Sequence, residues 1–206
     1  MKKIGIVGGV AWLSTVDYYS EICRKAERSH AARSLTGTPS TPEMSVESLD
    51  LRKMFSYLGS DGDEDSWAQF DEYHRAALQR VEASGADFAL IASNTPHHRF
   101  DSIVRGIGIP VIDMFEEVAK AAARIGVSDV LILGTAVTMG SQRFRNKFAA
   151  YGIAAAAPGN ETARTETVTL IKDLQSGEVA GASRRVDKIA RSSLDAGGEW
   201  GCALAF

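Results

Sequence analysis

Four polar side chains stand within five positions at Ser93-Asn94-Thr95-Pro96-His97: two hydroxyls, a carboxamide and an imidazole. They directly follow the short apolar run Phe88-Ala89-Leu90-Ile91-Ala92, and Gly134-Thr135, with Thr138 three residues on, follows a second such run, Asp129 to Leu133. Hydroxyls and amides at the ends of buried strands are suited to holding a small polar ligand, because parallel α/β sheets bind ligands beyond their strand C-termini. A third run, Lys3 to Val7, ends at Gly8-Gly9. Glycine there lets the backbone come close to a small anionic ligand, with N–H donors from the following turn. The spacing is not that of a dinucleotide fingerprint, no acidic residue follows at the required distance, and no Walker lysine follows the glycines. The two cysteines, Cys23 and Cys202, make no disulfide framework, so each is a buried small hydrophobe or a reactive thiol. Cys23 lies inside a helical stretch and reads as a packed core thiol.

The elements that position these residues alternate. Ser14 and Thr15 are candidate caps for a helix over 16–32, Glu43 to Leu51 reads weakly as a strand, and Trp67 to Ser84 is an amphipathic helix closed by Gly85. Its expected N-cap is Asp65 or Ser66. Extended residues 109–112 precede a helix over 114–124, the strand 129–133, a helix over 139–151 and a strand over 153–157. Helices over 161–175 and 182–196 complete the order, which predicts parallel α/β sheets.

Composition narrows the function. The 206 residues are 45% hydrophobic and 24% charged, within the range of a globular chain. That length suits one large domain or two lobes of about 100 residues each. Lys plus Arg is 23 against 26 Asp plus Glu, so no basic excess points to nucleic acid. No apolar run approaches the ~18–20 residues that span a bilayer. The N-terminal apolar run is short and broken by glycine, unlike a signal peptide, so a cytoplasmic protein is expected. The acidic turn Gly59 to Asp65 lacks the glutamate that completes a calcium loop. His30, His74 and His98 show no zinc spacing, and no metal is expected.

Taken together, Gly8-Gly9-Val10-Ala11-Trp12-Leu13-Ser14-Thr15, the Gly85-Ala86-Asp87 strand that ends in Ser93-Asn94-Thr95-Pro96-His97, and Leu133-Gly134-Thr135 with Thr138-Met139 resemble the aspartate/glutamate racemase family. The order and spacing run over nearly the whole chain. The resemblance implies two similar Rossmann-like or flavodoxin-like lobes, 1–100 and 101–206, with the active site in the cleft between them. It implies a cofactor-independent isomerase, commonly a homodimer, that takes a small dicarboxylic amino acid. Two cysteines of the family pattern face opposite sides of the substrate α-carbon, one removing the proton and the other returning one, as inversion requires. Donors around the carboxylate stabilise the carbanion.

The chain departs from that pattern twice. Ser93 stands where the first cysteine belongs, and a hydroxyl holds no useful anion at neutral pH without a base beside it. Some family members carry a hydroxyl here and are similar to racemases that favour one enantiomer. The end of the chain reads Gly201-Cys202-Ala203-Leu204-Ala205-Phe206, without the Thr-Glu and the last helix of the pattern. By its separation from Ser93, Cys202 matches the second cysteine and becomes the expected base, with a shortened strand before it; the competing reading is an inert thiol on a disturbed C-terminus.

The resemblance places Gly9, Val10, Asn94, Thr95, Thr135 and Thr138 around the substrate and His97 as support. For Asn94, Thr95, Thr135 and Thr138 the competing readings are strand-end turns and helix caps. Lys172, or else Arg52, would meet the side-chain carboxylate, against a solvated helix lysine for Lys172. Two other functions stay open: a single-thiol decarboxylase or isomerase of a small dicarboxylate, and an inactive dicarboxylate-binding relative.

Overall fold

A computed structural model describes residues 2–33, 36–39, 41–60, 62–194 and 202–205. The chain forms two compact units, Met1–Ile112 and Asp113–Phe206. The division therefore falls later than the boundary expected at residue 100, because the short strand Val111–Ile112 pairs with the first sheet.

In the first unit, β1 (Ile4–Gly8), β2 (Met44–Ser48), β3 (Phe88–Ile91) and β4 (Val111–Ile112) form a parallel sheet in the order β2-β1-β3-β4. This is the flavodoxin-like doubly wound order, with its switch point between β1 and β3. The alternation of β1 explains the layers. Ile4 and Ile6, with Leu90 and Ala92 of the β3 segment, pack against Tyr18 and Ile22 of α1 (Trp12–Ala32). Gly5 faces α3 (Ala68–Ala83), where a Cβ would lie 2.9 Å from Cγ2 of Val81. The glycine at position 5 thus serves close helix–sheet packing.

Several local expectations change. Helix α1 starts at Trp12, so Ser14 and Thr15 lie in its first turn and do not cap it. The Thr15 hydroxyl instead accepts the Gly9 N–H at 2.9 Å. No residue of α1 is fully buried, and Cys23 is a half-buried free thiol, not a core one. The segment after β2 turns into a short helix, α2 (Leu51–Ser56), where the Asp50 side chain accepts from the Lys53 N–H at 2.7 Å. A 3-10 turn, Glu64–Trp67, precedes α3 and takes its side-chain cap from Asp63 instead of Asp65 or Ser66. Helix α4 (Phe100–Ile103) leads toward β4.

In the second unit, β5 (Asp129–Leu133), β6 (Ala154–Ala156) and β7 (Cys202–Ala205) form a parallel sheet in the order β6-β5-β7. The buried strand β5 serves two cores. Val130 and Ile132 face Phe115 and Ala119 of α5 (Met114–Arg124) and Phe144 and Phe148 of α7 (Gln142–Ala149). Leu131 and Leu133 face Ala163 and Leu170 of α8 (Glu161–Gln175) and Ile189 of α9 (Ala182–Leu194). The helix expected over 139–151 divides into α6 (Ala136–Gly140) and α7, because Ser141 is extended at ψ 112° and its hydroxyl caps α7. Phe206 and residues 195–201, where shortening of the last strand was expected, lie outside the described residues. Among the described residues no helix is long and apolar enough to cross a membrane.

Candidate active site

The switch point of the first sheet brings the glycine loop and the Ser93 loop together. Strands β1 and β3 are parallel neighbours with Val7 opposite Ile91, and the Ala92 N–H continues the ladder to the Val7 carbonyl at 2.8 Å. Gly8-Gly9 and Ala92-Ser93 therefore emerge side by side at the carboxyl edge, where such sheets bind ligands. Gly9 has φ +84°, and a Cβ there would overlap the backbone of Leu49, which follows β2. Its own N–H is bound to Thr15, so the donors that the glycine loop can offer come from the residues after it. Val10 is buried. Arg52 is exposed on the first turn of α2, beyond the carboxyl end of β2 and thus at the same edge of the sheet.

Ser93 and Asn94 are half-buried, and Thr95 is buried in the 3-10 turn Thr95–Arg99 that follows. The turn is tied back onto its own start. The His97 N–H donates to the Asn94 carbonyl at 2.9 Å, and His97 Nδ1 donates to the Ser93 carbonyl at 2.9 Å. The His97 ring is fully buried and stacks on Phe100 with centroids 5.4 Å apart. Asn94 Oδ1 is buried and makes no hydrogen bond among the described residues. A carboxamide offers an oxygen acceptor or an NH2 donor, so this position can meet an ammonium or a carboxylate.

Behind the turn lies a group of residues that the sequence reading did not single out. Arg99 binds buried Asp71 of α3 through two bonds, Nε to Oδ1 at 3.2 Å and Nη2 to Oδ2 at 2.9 Å. Its third nitrogen, Nη1, reaches Glu64 at 2.6 Å, and its guanidinium lies 5.6 Å from the Trp67 ring centroid. The bond to Asp71 chiefly raises the pKa of the guanidinium above its already high ordinary value. Next to this cluster His74 is fully buried, with Nδ1 bound to the Phe70 carbonyl at 2.8 Å. Its pKa is lowered from the ordinary 6.5 to about 4, chiefly by burial and in small part by the neighbouring His97, against the Phe70 carbonyl and Asp71, which raise it. In the sequence, Asp71, His74 and Arg99 read only as helix and turn residues; their meeting is a tertiary fact.

In the second unit, Thr135 follows β5 and caps α6, its hydroxyl accepting the Thr138 N–H at 3.2 Å. The Thr135 and Thr138 hydroxyls are 3.1 Å apart, and Thr138 is buried. Arg145 of α7 donates to the carbonyls of Gly140 and Met139, fixing the far end of α6. Lys172 is exposed in the last turn of α8, eleven residues from its start, or about 16 Å along the axis.

Cys202 differs from its expected place. The strand begins at Cys202 instead of ending before it: Cys202 is registered with Val130, and Ala205 with Leu133, which precedes Gly134 and Thr135. Three residues of strand, about 10 Å, thus separate the Cys202 backbone from the carboxyl end of β7. The side chain of Cys202 lies outside the described residues. Among the described residues no group of three or more His, Cys, Asp or Glu side chains is arranged to hold a metal ion.

Residues 7–200 match the model of the family described as Asp/Glu/Hydantoin racemase. The chain belongs to that family. Solved structures share its fold. An aspartate racemase homologue from Pyrococcus horikoshii is 26% identical, with a TM-score of 0.70 over 96% of this chain and 82% of the other. The aspartate racemase of Picrophilus torridus shares the fold at 18% identity, with a TM-score of 0.72 over 98% of this chain and 79% of the other. The glutamate racemase of Aquifex pyrophilus is more distant, at 19% identity and a TM-score of 0.54 over 76% of this chain and 54% of the other.

Proposed function

We propose that the protein moves the α-proton of aspartate or glutamate without a cofactor and favours one enantiomer. The observation that carries this reading is the placement of Gly8-Gly9 and Ser93-Asn94-Thr95 on the two sides of the β1/β3 switch point, in a chain that belongs to the racemase family. The carboxamide of Asn94, with its buried Oδ1, suits the ammonium or the α-carboxylate of an amino acid. The proposed step requires the Cys202 thiol, whose backbone is registered three residues before the carboxyl end of β7, to reach the substrate, where its thiolate takes the α-proton. The electron pair left on carbon delocalises into the α-carboxylate, whose charge is stabilised by surrounding donors. A proton then returns to the carbon from a water held by Ser93, or from the Ser93 hydroxyl while that water reprotonates it and leaves as hydroxide to solvent. The asymmetry follows from acidity: a cysteine thiolate is populated near neutral pH and a serine alkoxide is not. Deprotonation is therefore expected to be much faster from the L-enantiomer, the one that the second cysteine serves in the family.

Solvent deuterium incorporation at the α-carbon of each enantiomer tests the step. Ser93→Cys is expected to raise exchange from the D-substrate most, and Cys202→Ala to abolish exchange from the L-substrate. Unchanged D-exchange in the first variant together with intact L-exchange in the second sinks the mechanism.

A second reading is favoured by the register of β7, which starts the strand at Cys202. In that reading the chain binds a dicarboxylate and turns nothing over. Binding of aspartate or glutamate in calorimetry, with no deuterium incorporation into either enantiomer and no carbon dioxide release, would support it. Carbon dioxide release would point to a decarboxylase.

A further inference from the structure

We propose that Arg99 is a positioning residue, whose two-pronged bond to buried Asp71 of α3 fixes the turn Thr95–Arg99 and through it the Ser93 and Asn94 groups. The proposal deepens the reading of the Ser93 loop as part of an active site and rests on it.

The turn has two ends. At its start, both carbonyls of the Ser93-Asn94 pair are held by one residue, His97, through its backbone N–H and its ring. Nothing in those bonds fixes the turn against the rest of the unit, because all three partners lie within the same five residues. Its far end is tied to α3. Arg99 is the last residue of the turn, its side chain is 11% exposed, and both of its bonds to Asp71 span 28 positions of sequence. The Asp71 side chain is 8% exposed. A planar guanidinium held by two parallel bonds has its orientation fixed as well as its distance, which a lysine ammonium does not provide. The Trp67 ring beneath the guanidinium, and His98 of the turn 5.4 Å from the same ring, extend the anchor to the 3-10 turn before α3. The linkage thus runs from α3 to Arg99, along the backbone of the turn to His97, and from His97 to the carbonyls of the residues proposed to meet substrate. A misplacement of about 1 Å in such groups lowers turnover by about 100-fold.

Arg99→Met and the milder Arg99→Lys test the idea in the full chain. Two readings are taken well below each variant's melting temperature: amide hydrogen exchange of residues 93–97, and kcat and KM for α-deuterium exchange from L-aspartate. In Arg99→Met the amides of 93–97 are expected to exchange faster while those of β5 keep their protection, and kcat should fall about 100-fold with KM changed much less. Arg99→Lys, which keeps the charge but not the fork, should recover part of both. If Arg99→Met fails to fold, Arg99→Lys alone must show faster exchange in 93–97 and a reduced kcat. A folded variant that melts earlier yet keeps wild-type protection at 93–97 and wild-type kcat overturns the proposal, because that is what a purely structural ion pair would do. Should the wild-type protein neither exchange nor bind aspartate or glutamate, the functional reading fails. The amide measurement then still decides whether Arg99 holds the loop.

Discussion

At the residue scale, the glycines of the first loop show how a motif was legible while its reasons were not. The sequence suggested a backbone bent close to a ligand. In the structure the constraints come from the protein itself: Val81 against Gly5, Thr15 against Gly8, and the Leu49 backbone against Gly9. Gly9 carries two penalties for a side chain, a φ of +84° and no room. Gly85 has nearly the same φ, +83°, but open space around it. Gly85→Ala should therefore cost about 1–2 kcal/mol, the price of the left-handed conformation alone. Gly9→Ala should cost clearly more, because the Leu49 backbone must also move. Urea unfolding of both variants checks this, and equal losses would show that the overlap at Gly9 relaxes freely. Cys23 marks the opposite case. Its burial depended on which face of α1 meets the sheet, and the face chosen, Tyr18 and Ile22, leaves the thiol half out.

At the element scale, the best-read segments are those with a strong cap and a strong period. Met114–Arg124 begins after Asp113, whose side chain accepts the Phe115 N–H at 3.1 Å, and Glu161–Gln175 begins after Asn160, which accepts from the Ala163 N–H at 2.7 Å. Both helices were legible to the residue. The segment over 139–151 was not, because Ser141 is a helix cap inside an otherwise helical pattern and caps favour non-helical backbone. Nor was Cys202 legible in place: its separation from Ser93 suits the family pattern, but the register of a short strand depends on its pairing with β5. The two caps give a graded prediction. Asn160→Ala should destabilise by about 1 kcal/mol, the usual cost of a lost cap. Asp113→Ala should cost more, since it also leaves the largely buried Arg143 guanidinium, 2.7 Å away, without that carboxylate, and removes a partner of Lys147 at 3.3 Å. Denaturant midpoints of the two variants read the difference, and a smaller loss for Asp113→Ala would show that Arg143 and Lys147 find other partners at no cost.

At the scale of the whole molecule, two α/β units with parallel sheets follow from the alternating pattern, and the strand order β2-β1-β3-β4 supplies what the pattern left out, namely which two loops meet. The first unit is expected to be the more sensitive to mild acid. His74 belongs to the first, and it is held neutral by burial, with a pKa lowered from 6.5 to about 4. A histidine whose folded pKa lies below its unfolded value binds protons more readily when unfolded, so its contribution to stability is complete above pH 6.5. That contribution shrinks as pH falls and is gone below about pH 4, a loss on the order of 3 kcal/mol at 1.36 kcal/mol per unit. Lowering the pH from 7 to 4.5 should therefore weaken hydrogen-exchange protection in α3 and β3 of Met1–Ile112 before it weakens α5 and β5 of the second unit. His74→Phe removes the titrating group and should flatten the pH dependence of the first unit while leaving that of the second unchanged. If the variant loses protection in the first unit as steeply as the wild type between pH 6.5 and 4.5, His74 is not the source of the acid sensitivity.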